Sequence, residues 1–169
     1  MKLLNLNKYN LEKTIWTDKD FEKMGWHDSS VYAISFSDPA EVNLSFMCFD
    51  LDYIFKWLHP KEGEDGFSFW VSPCTLIFED VINLKMEFDS GLISPIGLEI
   101  ADILKLENDN PDDAAIKWQV NFQTGIMLFE SSGFKQIVRK EPVFTSSQSL
   151  SFKDREGISF SKMPYKNFH

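Results

Sequence analysis

Two aspartates, Asp50 and Asp52, have the residue type and the spacing to do chemistry. Side chains two positions apart in a β-strand point to the same face, so the two carboxylates would share one surface. Such a pair can serve as general acid and general base, or can bind a hard cation. An Asp-x-Asp pair on the exposed face of a strand is equally an ordinary solvated feature. The spacing alone therefore does not assign an activity.

A histidine beside an aspartate, His27-Asp28, forms the second candidate pair. An imidazole oriented by a carboxylate can act as a base or as one ligand of a metal ion. The alternative is structural: Trp26 would anchor the segment to a sheet, while His27 and Asp28 satisfy backbone groups where a strand begins. If His27 and Asp28 lay beside Asp50 and Asp52, the four side chains would line a small-ligand site or a metal-dependent hydrolytic site.

Two tryptophans are candidates for a protein interface. Trp70 falls on the polar positions of its strand, opposite Phe69 and Val71, and Trp57 follows the aspartate pair. Amphipathic aromatic side chains rimmed by charge are typical anchors of protein interfaces. In a two-layer β-protein they can instead cover the second face of a sheet. The residues that we predict for binding are Trp26, His27, Asp28, Asp50, Asp52, Trp57 and Trp70.

The sequence patterns of well-understood catalytic and cofactor sites are absent. There is no Gly-x-Ser-x-Gly nucleophile elbow, phosphate loop, dinucleotide fingerprint or Cys-x-x-Cys pair. The acidic stretch 107–113 lacks the central glycine and the closing glutamate of a calcium loop, and we interpret it as a solvated loop. We therefore predict no catalytic residue, no metal ligand and no cofactor, and a protein that is not an enzyme.

The predicted strand that carries the aspartates has an unusual apolar pattern. From Val42 the even-numbered residues are apolar as far as Cys48, and from Phe49 to Tyr53 the odd-numbered residues are apolar instead. Because the side chains of a strand alternate between faces, this inversion predicts a bulge, a bend or a change of sheet at Phe49. It also places both carboxylates beside the edge of an apolar core.

Alternating apolar residues recur along most of the chain, separated by turn residues, and predict about ten strands. Their regular spacing is typical of an all-β protein, either an antiparallel sandwich or an open barrel. No amphipathic helix of useful length separates the strands, which argues against a parallel sheet. Residues 17–25 predict a short N-terminal helix. We interpret residues 1–169 as a single domain, with residues 153–169 as a loosely attached tail.

Composition narrows the classes of partner. A net charge of −9 without a cluster of Lys and Arg argues against nucleic acid as a partner. No apolar run approaches the ~20 residues that cross a bilayer, and none at the N-terminus fits a signal peptide, so we expect no membrane attachment. The two cysteines lie in apolar strand patterns, typical of buried thiols in a reducing compartment, although a disulfide between them remains an alternative. We predict a cytoplasmic protein.

Three phrases together resemble a group of small, uncharacterised bacterial proteins that open on a Trp-His-Asp strand and carry an Asp-Leu-Asp-Tyr-Ile segment. They are GWHDS (residues 25–29), DLDYIFKW (50–57) and FWVSPCTLIFE (69–79). The group has no established activity, so the resemblance implies no catalytic residue. In size and acidity the chain also looks like the immunity proteins of bacterial toxin systems.

These observations lead to two functional hypotheses. The first is a non-enzymatic cytoplasmic module that binds another protein, with an immunity-like role, covering a basic toxin surface, as its most concrete form. The alternative is the small-ligand or metal-dependent hydrolytic site lined by His27, Asp28, Asp50 and Asp52. The two hypotheses differ in whether these four side chains converge in space.

Overall fold

The computed structural model describes residues 8–36, 45–89 and 98–166 of the chain. Alternating sequences form ten strands in this part of the chain. They are β1 (Ile15–Thr17), β2 (Ser29–Ser35), β3 (Phe46–Leu58), β4 (Ser68–Glu79), β5 (Ile82–Phe88), β6 (Leu98–Leu106), β7 (Ile116–Phe122), β8 (Gly125–Ser131), β9 (Gly133–Val138) and β10 (Val143–Thr145). Within the described ranges, no helix is long and apolar enough to cross a membrane.

All ten strands belong to one antiparallel sheet that does not close, which confirms the predicted fold class. The strand order is β1-β9-β4-β3-β2-β6-β7-β8-β5, and β10 pairs with β4. The helical prediction is corrected. Residues Asp18–Lys23 form a 3-10 helix, whose preceding Thr17 donates its backbone N–H to Asp20 Oδ2 at 2.9 Å. The single α-helical turn described, α1 (Phe152–Arg155), lies near the C-terminus.

The sheet curls so that its two halves pack against each other. Phe78 on β4 lies 4.7 Å from Phe129 on β8 and 5.6 Å from Trp118 on β7, measured between ring centroids. β4 and β8 are five positions apart in the strand order, a separation of about 24 Å in a flat sheet with ~4.8 Å between strands. The inner face therefore encloses the main core, in which Trp118 and Phe134 also meet.

At the inversion predicted at Phe49, β3 does not change sheet, and its register with β4 runs continuously from Phe46 to Ile54. The register with β4 shifts only between Ile54 and Lys56. On the other side, the register with β2 shifts between Val31 and Ala33, opposite Leu51 and Asp50. Odd-numbered residues of β3 from Met47 onward line the main core, and the even-numbered residues lie on the outer face. Both faces of β3 are buried there, so odd-numbered and even-numbered residues can both be apolar, and the pattern inverts where one set gives way to the other. Residues 42–44, the start of the predicted strand, lie outside the described residues.

The C-terminal segment covers the outer face of β2, β3 and β4. We call residues 148–165 the strap. Its attachments include the backbone N–H of Leu150, which donates to Asp52, and the backbone N–H of Ser159, which donates to Asp50. Further along, Tyr165 donates its backbone N–H to the carbonyl of Val138 at 2.7 Å. These contacts join the strap to the sheet at several points. The strap overlaps the predicted loose tail, residues 153–169, of which residues 153–166 are described.

Candidate functional site

β3 carries Asp50 and Asp52 on the face that the strap covers. Both are even-numbered residues of a regularly paired strand, so they share one face as their spacing predicts. Neither side chain is accessible to solvent. Buried carboxylates need cations or hydrogen-bond donors, because an uncompensated charge inside a protein is costly. What the two carboxylates can do therefore depends on the groups that compensate their negative charges.

Arg155, at the end of α1, lies directly on the carboxylate pair. Its Nη2 donates to Asp50 Oδ1 at 2.7 Å, its Nη1 donates to Asp50 Oδ2 at 3.0 Å, and its Nε lies 3.3 Å from Asp52 Oδ1. The guanidinium also lies on the ring of Tyr32, 3.6 Å from the centroid. This combines a two-pronged charge-assisted pair with a cation–π contact. Arg155 is 2% exposed, so the whole arrangement is out of water.

A second arginine, Arg139, completes the charge balance. Its Nη2 donates to Asp50 Oδ1 at 2.7 Å, while its Nη1 donates to Thr75 Oγ1 and to the carbonyl oxygens of Cys74 and Ser159. Two carboxylates thus face two guanidinium groups, and the cluster is electrically neutral. Asp50 accepts four hydrogen bonds and Asp52 accepts three, so these donors occupy most of the lone pairs that a base or a metal ligand would use.

Asp52 sits in the less charged half of the cluster. It accepts hydrogen bonds from the Tyr32 hydroxyl at 2.9 Å and from the Leu150 N–H at 2.7 Å. Burial raises the pKa of Asp52, against the lowering effect of these donors and of Arg155. Burial, together with the neighbouring carboxylate, raises the pKa of Tyr32 to about 12. The Tyr32 hydroxyl therefore remains a hydrogen-bond donor at all ordinary pH values.

His27 and Asp28 lie outside the buried carboxylate cluster. The imidazole is exposed, and its Nδ1–H donates to the carbonyl oxygen of Ala101 at 3.0 Å. Its Nε2 lies 3.5 Å from Asp28 Oδ1. Asp28 accepts from the side chain of Gln148 at 2.9 Å. Burial and the Asp28 charge raise the pKa of the neighbouring Glu99 carboxyl.

The four residues of the predicted ligand or metal site therefore divide into two groups. Asp50 and Asp52 are buried beneath the strap, whereas the exposed His27 contacts Asp28. Among the residues that the structure describes, no three His, Cys, Asp or Glu side chains could hold one metal ion. The strap joins the groups instead, because Gln148 binds Asp28 and Leu150, two residues later, binds Asp52.

The tryptophans chosen from the sequence occupy different environments. Trp26 is buried and donates its indole N–H to Gln136 Oε1 at 2.7 Å, so it anchors the entry to β2 in the core. Trp70 is also buried, and its ring packs against Tyr9 and Phe144. Neither is available as an interface anchor. Trp57 is the one of the three with substantial exposure, at 37%.

Trp57 belongs to a row of rings at the end of β3 and the beginning of β4. Its ring centroid lies 5.9 Å from that of Phe67 and 6.1 Å from that of His27, and the imidazole is nearly parallel to the indole. His59 lies 5.0 Å from Phe67 on the other side. We call these four residues the aromatic surface. Phe67 is 41% exposed, so the aromatic surface presents a large apolar area to solvent between the imidazole rings of His27 and His59.

Sequence reasoning missed the groups that complete both arrangements: Arg139, Arg155 and Tyr32 in the buried cluster, and Phe67 on the surface. A signal for the arginines was present. Only two of the chain's 17 basic residues are arginine, and both contact Asp50. Arginine suits buried, two-pronged pairing with carboxylates better than lysine does. Two isolated arginines in a lysine-rich chain were therefore candidate partners for an Asp-x-Asp strand.

Comparisons with protein-family models, with curated proteins and with solved structures found no match for this chain.

Proposed function

We propose that the protein is a non-enzymatic module that binds another protein through the aromatic surface. The observation that carries this proposal is the exposed contact between Trp57 and Phe67, which are 37% and 41% accessible. Aromatic side chains that combine large area with few rotatable bonds dominate the energetics of protein interfaces. His27 and His59 supply polar groups at either end of the row.

The charge around the aromatic surface favours a basic partner. The loop between β3 and β4 contains three exposed acidic residues, Glu62, Glu64 and Asp65, against one exposed lysine, Lys61, and it lies next to Phe67. The chain as a whole carries a net charge of −9. Complementary charge speeds encounter and disfavours acidic competitors. An immunity-like role, in which this surface covers a basic region of a toxin, is the most concrete form of the proposal.

The state of the carboxylates supports a role without catalysis. Asp50 accepts hydrogen bonds from both arginines, and Asp52 accepts from Tyr32 and the strap. The two aspartates that suggested general acid–base chemistry serve to attach the strap. We also propose a cytoplasmic location in a bacterium, supported by two buried cysteines that form no disulfide and by the resemblance of residues 25–29, 50–57 and 69–79 to a bacterial group.

Paired surface variants test the proposed interface. The double variant Trp57→Ser/Phe67→Ser removes both exposed rings, and Phe36→Ser removes a ring that is 51% exposed after the end of β2. Ser35, the residue before Phe36, pairs with Cys48, which lies nine residues before Trp57 on β3. At ~3.3 Å per residue, the control position is therefore about 30 Å from Trp57. Each protein is immobilised and exposed to lysate from the organism that encodes it.

We expect one protein to be retained by the parent and by Phe36→Ser but lost from the double variant. With the captured protein purified, affinity should fall about 30-fold or more in the double variant, the loss that follows truncation of an interface hot spot. Equal retention by all three proteins would place the interface elsewhere. For the immunity-like form, co-expression with the products of neighbouring genes should relieve the toxicity of one of them, and absence of any such effect would exclude that form.

A further inference from the structure

The strap is held mainly by polar contacts. Its large apolar residues Phe152, Ile158 and Met163 are 58%, 52% and 67% exposed. Leu150 and Phe160 pack partly against the outer clusters, and Tyr165 packs partly against the main core. The central attachment is the Arg155 guanidinium between the two aspartates. A buried ion pair contributes little net stabilisation, because desolvation of the charges offsets most of their attraction. The strap therefore resembles a docked ligand more than a layer of the core.

The surface beneath the strap is built by strands that do not depend on it. Asp50 and Asp52 lie on β3, which pairs with β2 and β4 on its two sides. In the described part of the chain, no strand pairing involves a strap residue. Two partners of the carboxylates do not belong to the strap: Arg139, 2.7 Å from Asp50, and the Tyr32 hydroxyl, 2.9 Å from Asp52. We expect both pairs to persist when the strap is released. Water then reaches both carboxylates, so release leaves no buried charge without a partner.

The site selects arginine by shape. A guanidinium offers two parallel N–H donors to Asp50, a third to Asp52, and a flat face to Tyr32. A lysine ammonium is a point charge without this fork or this face. We call the pocket formed by Tyr32, Asp50, Asp52 and Arg139 the arginine groove.

Apolar clusters flank the arginine groove on both sides. Phe160 packs against one cluster, formed by Phe46, Cys48, Ile77 and Ile137. Leu150 packs against the other, formed by Ile54, Phe69 and Val71. Along the strap, Leu150, Arg155 and Phe160 follow one another at intervals of five positions. The sheet therefore binds an arginine with an apolar residue five positions away on either side.

We propose that the arginine groove is a binding site for a segment of a partner protein, with arginine between two apolar residues, and that the strap occupies it in the absence of that partner. The paired carboxylates supply the charge complementarity, and the two apolar clusters set the spacing. The arginine groove is separate from the aromatic surface, and this proposal does not depend on the proposed interface there.

A cleavable strap tests the exchange directly. A protease recognition sequence replaces Ser146 and Ser147, between β10 and the strap, in the otherwise complete protein. A fluorescein-labelled peptide of residues 148–163 is then added to the cleaved protein, and binding is followed by fluorescence polarisation. A short linker gives a tethered segment an effective concentration of about 1 mM. A strap docked about 99% of the time in cis therefore corresponds to a dissociation constant on the order of 10 µM in trans.

We expect the labelled peptide to bind the cleaved protein, and a peptide with Arg155→Lys to bind at least about tenfold more weakly. Uncleaved protein should bind little, because its own strap competes. Equal affinity for the arginine and lysine peptides would overturn the proposal. So would a cleaved strap that never exchanges, or loss of the β-sheet circular dichroism signal when the strap is removed.

The uncleaved variant Arg155→Ala provides a second route. Its strap lacks the guanidinium and should no longer compete, so the labelled peptide should bind the full chain. If Arg155→Ala does not bind the peptide while its sheet remains folded, the proposal fails. If mixtures of parent and variant form dimers at the peptide's working concentration, the occupant is the strap of a second copy, which would overturn the assignment to a partner protein.

Discussion

Asp50 makes several of the side-chain contacts that hold the C-terminal region on the outer face of the sheet. It accepts hydrogen bonds from Arg139, from Arg155 and from the backbone of Ser159, which belong to different parts of the C-terminal region. Its neighbour Asp52 adds the Leu150 N–H. β3 thus binds the C-terminal segment through the side chains of Asp50 and Asp52. A single change at Asp50 therefore tests whether the carboxylates are structural.

We expect Asp50→Asn to lower the free energy of unfolding by about 3 kcal/mol. Removing one partner of a buried pair costs roughly 3–5 kcal/mol, and release of the strap limits the loss by letting water reach the arginines. Asp102→Asn is the matched control, because Asp102 lies on β6, is exposed, and contacts Asn121. Surface changes of this kind shift stability by about 0.5 kcal/mol or less. Urea unfolding measures both, and equal effects would contradict a structural role.

Tyr53 makes the core sensitive to alkaline pH. It is 6% exposed, and its hydroxyl accepts the backbone N–H of Gly25 at 3.1 Å. Burial raises its pKa from 10.0 to about 12. Because the folded pKa lies above the unfolded one, the stabilisation is complete below pH 10. It is lost as pH rises through about 12, with a total of roughly 2–3 kcal/mol.

The comparison of parent and Tyr53→Phe tests this dependence. Urea unfolding at pH 9, 10 and 11 should show a steeper loss of stability in the parent, because phenylalanine has no hydroxyl to ionise. Lysines titrate in the same range, and their contribution cancels in the difference between the two proteins. Parallel curves would show that Tyr53 ionises alike in the folded and unfolded states.

At the scale of elements, β5 is the strand most dependent on a close backbone approach. Among the described strands it forms one end of the sheet and pairs only with β8. At Gly125, the first residue of β8, a Cβ would lie 2.5 Å from the Glu87 carbonyl oxygen and 2.5 Å from Phe88 Cδ1. Phe88 in turn packs against Phe122 of β7. The absence of a side chain at Gly125 therefore sets how β5 lies on β8.

We expect Gly125→Ala to destabilise the protein by about 1–3 kcal/mol, the usual effect of inserting atoms into a packed position. Gly66→Ala is the control, since a Cβ there meets no heavy atom within 4 Å. Thermal unfolding of the two variants beside the parent provides the measurement. A smaller loss for Gly125→Ala than for Gly66→Ala would mean that β5 shifts without cost.

For the whole molecule, the curled sheet and the strap create two separately covered faces. Cys74 lies in the main core on the inner face. Cys48 lies in the outer cluster against which Phe160 of the strap packs. Both cysteines are buried and neither is in a disulfide, so the disulfide alternative is not realised. Burial also raises the pKa of the Cys74 thiol, which lowers its reactivity further. The reactivity of Cys48 therefore reports on release of the strap, and the reactivity of Cys74 reports on opening of the main core.

We expect Cys48 to react with a thiol reagent faster than Cys74 in native buffer. Strap release should expose Cys48, whereas Cys74 needs opening of the core. The variants Cys74→Ala and Cys48→Ala each leave one thiol, and the reagent's absorbance gives the rate. Adding Arg155→Ala should accelerate Cys48 alone. Equal rates in all backgrounds would show that both faces open together.

The strand pattern predicted the all-β antiparallel fold because alternation along a strand is a local property. β7 illustrates this, since its Trp118, Val120 and Phe122 all face the core. The apolar pattern inverts at Phe49 because both faces of β3 are buried, whereas the prediction assumed that one face is in contact with water. Residue spacing cannot tell a strand with two buried faces from a strand that bends. The strap that buries the second face lies about a hundred residues further along the chain.

Sequence alone determined that Asp50 and Asp52 share a face and that aromatic residues follow them, because strand periodicity is encoded between neighbours. Tertiary structure decided what the carboxylates do. Arg139 and Arg155 reach them from the far end of the chain, while His27 stays on the surface beside Trp57. Whether a carboxylate is a base, a ligand or an anchor depends on which charges fold back onto it, and contacts between distant segments leave no local pattern.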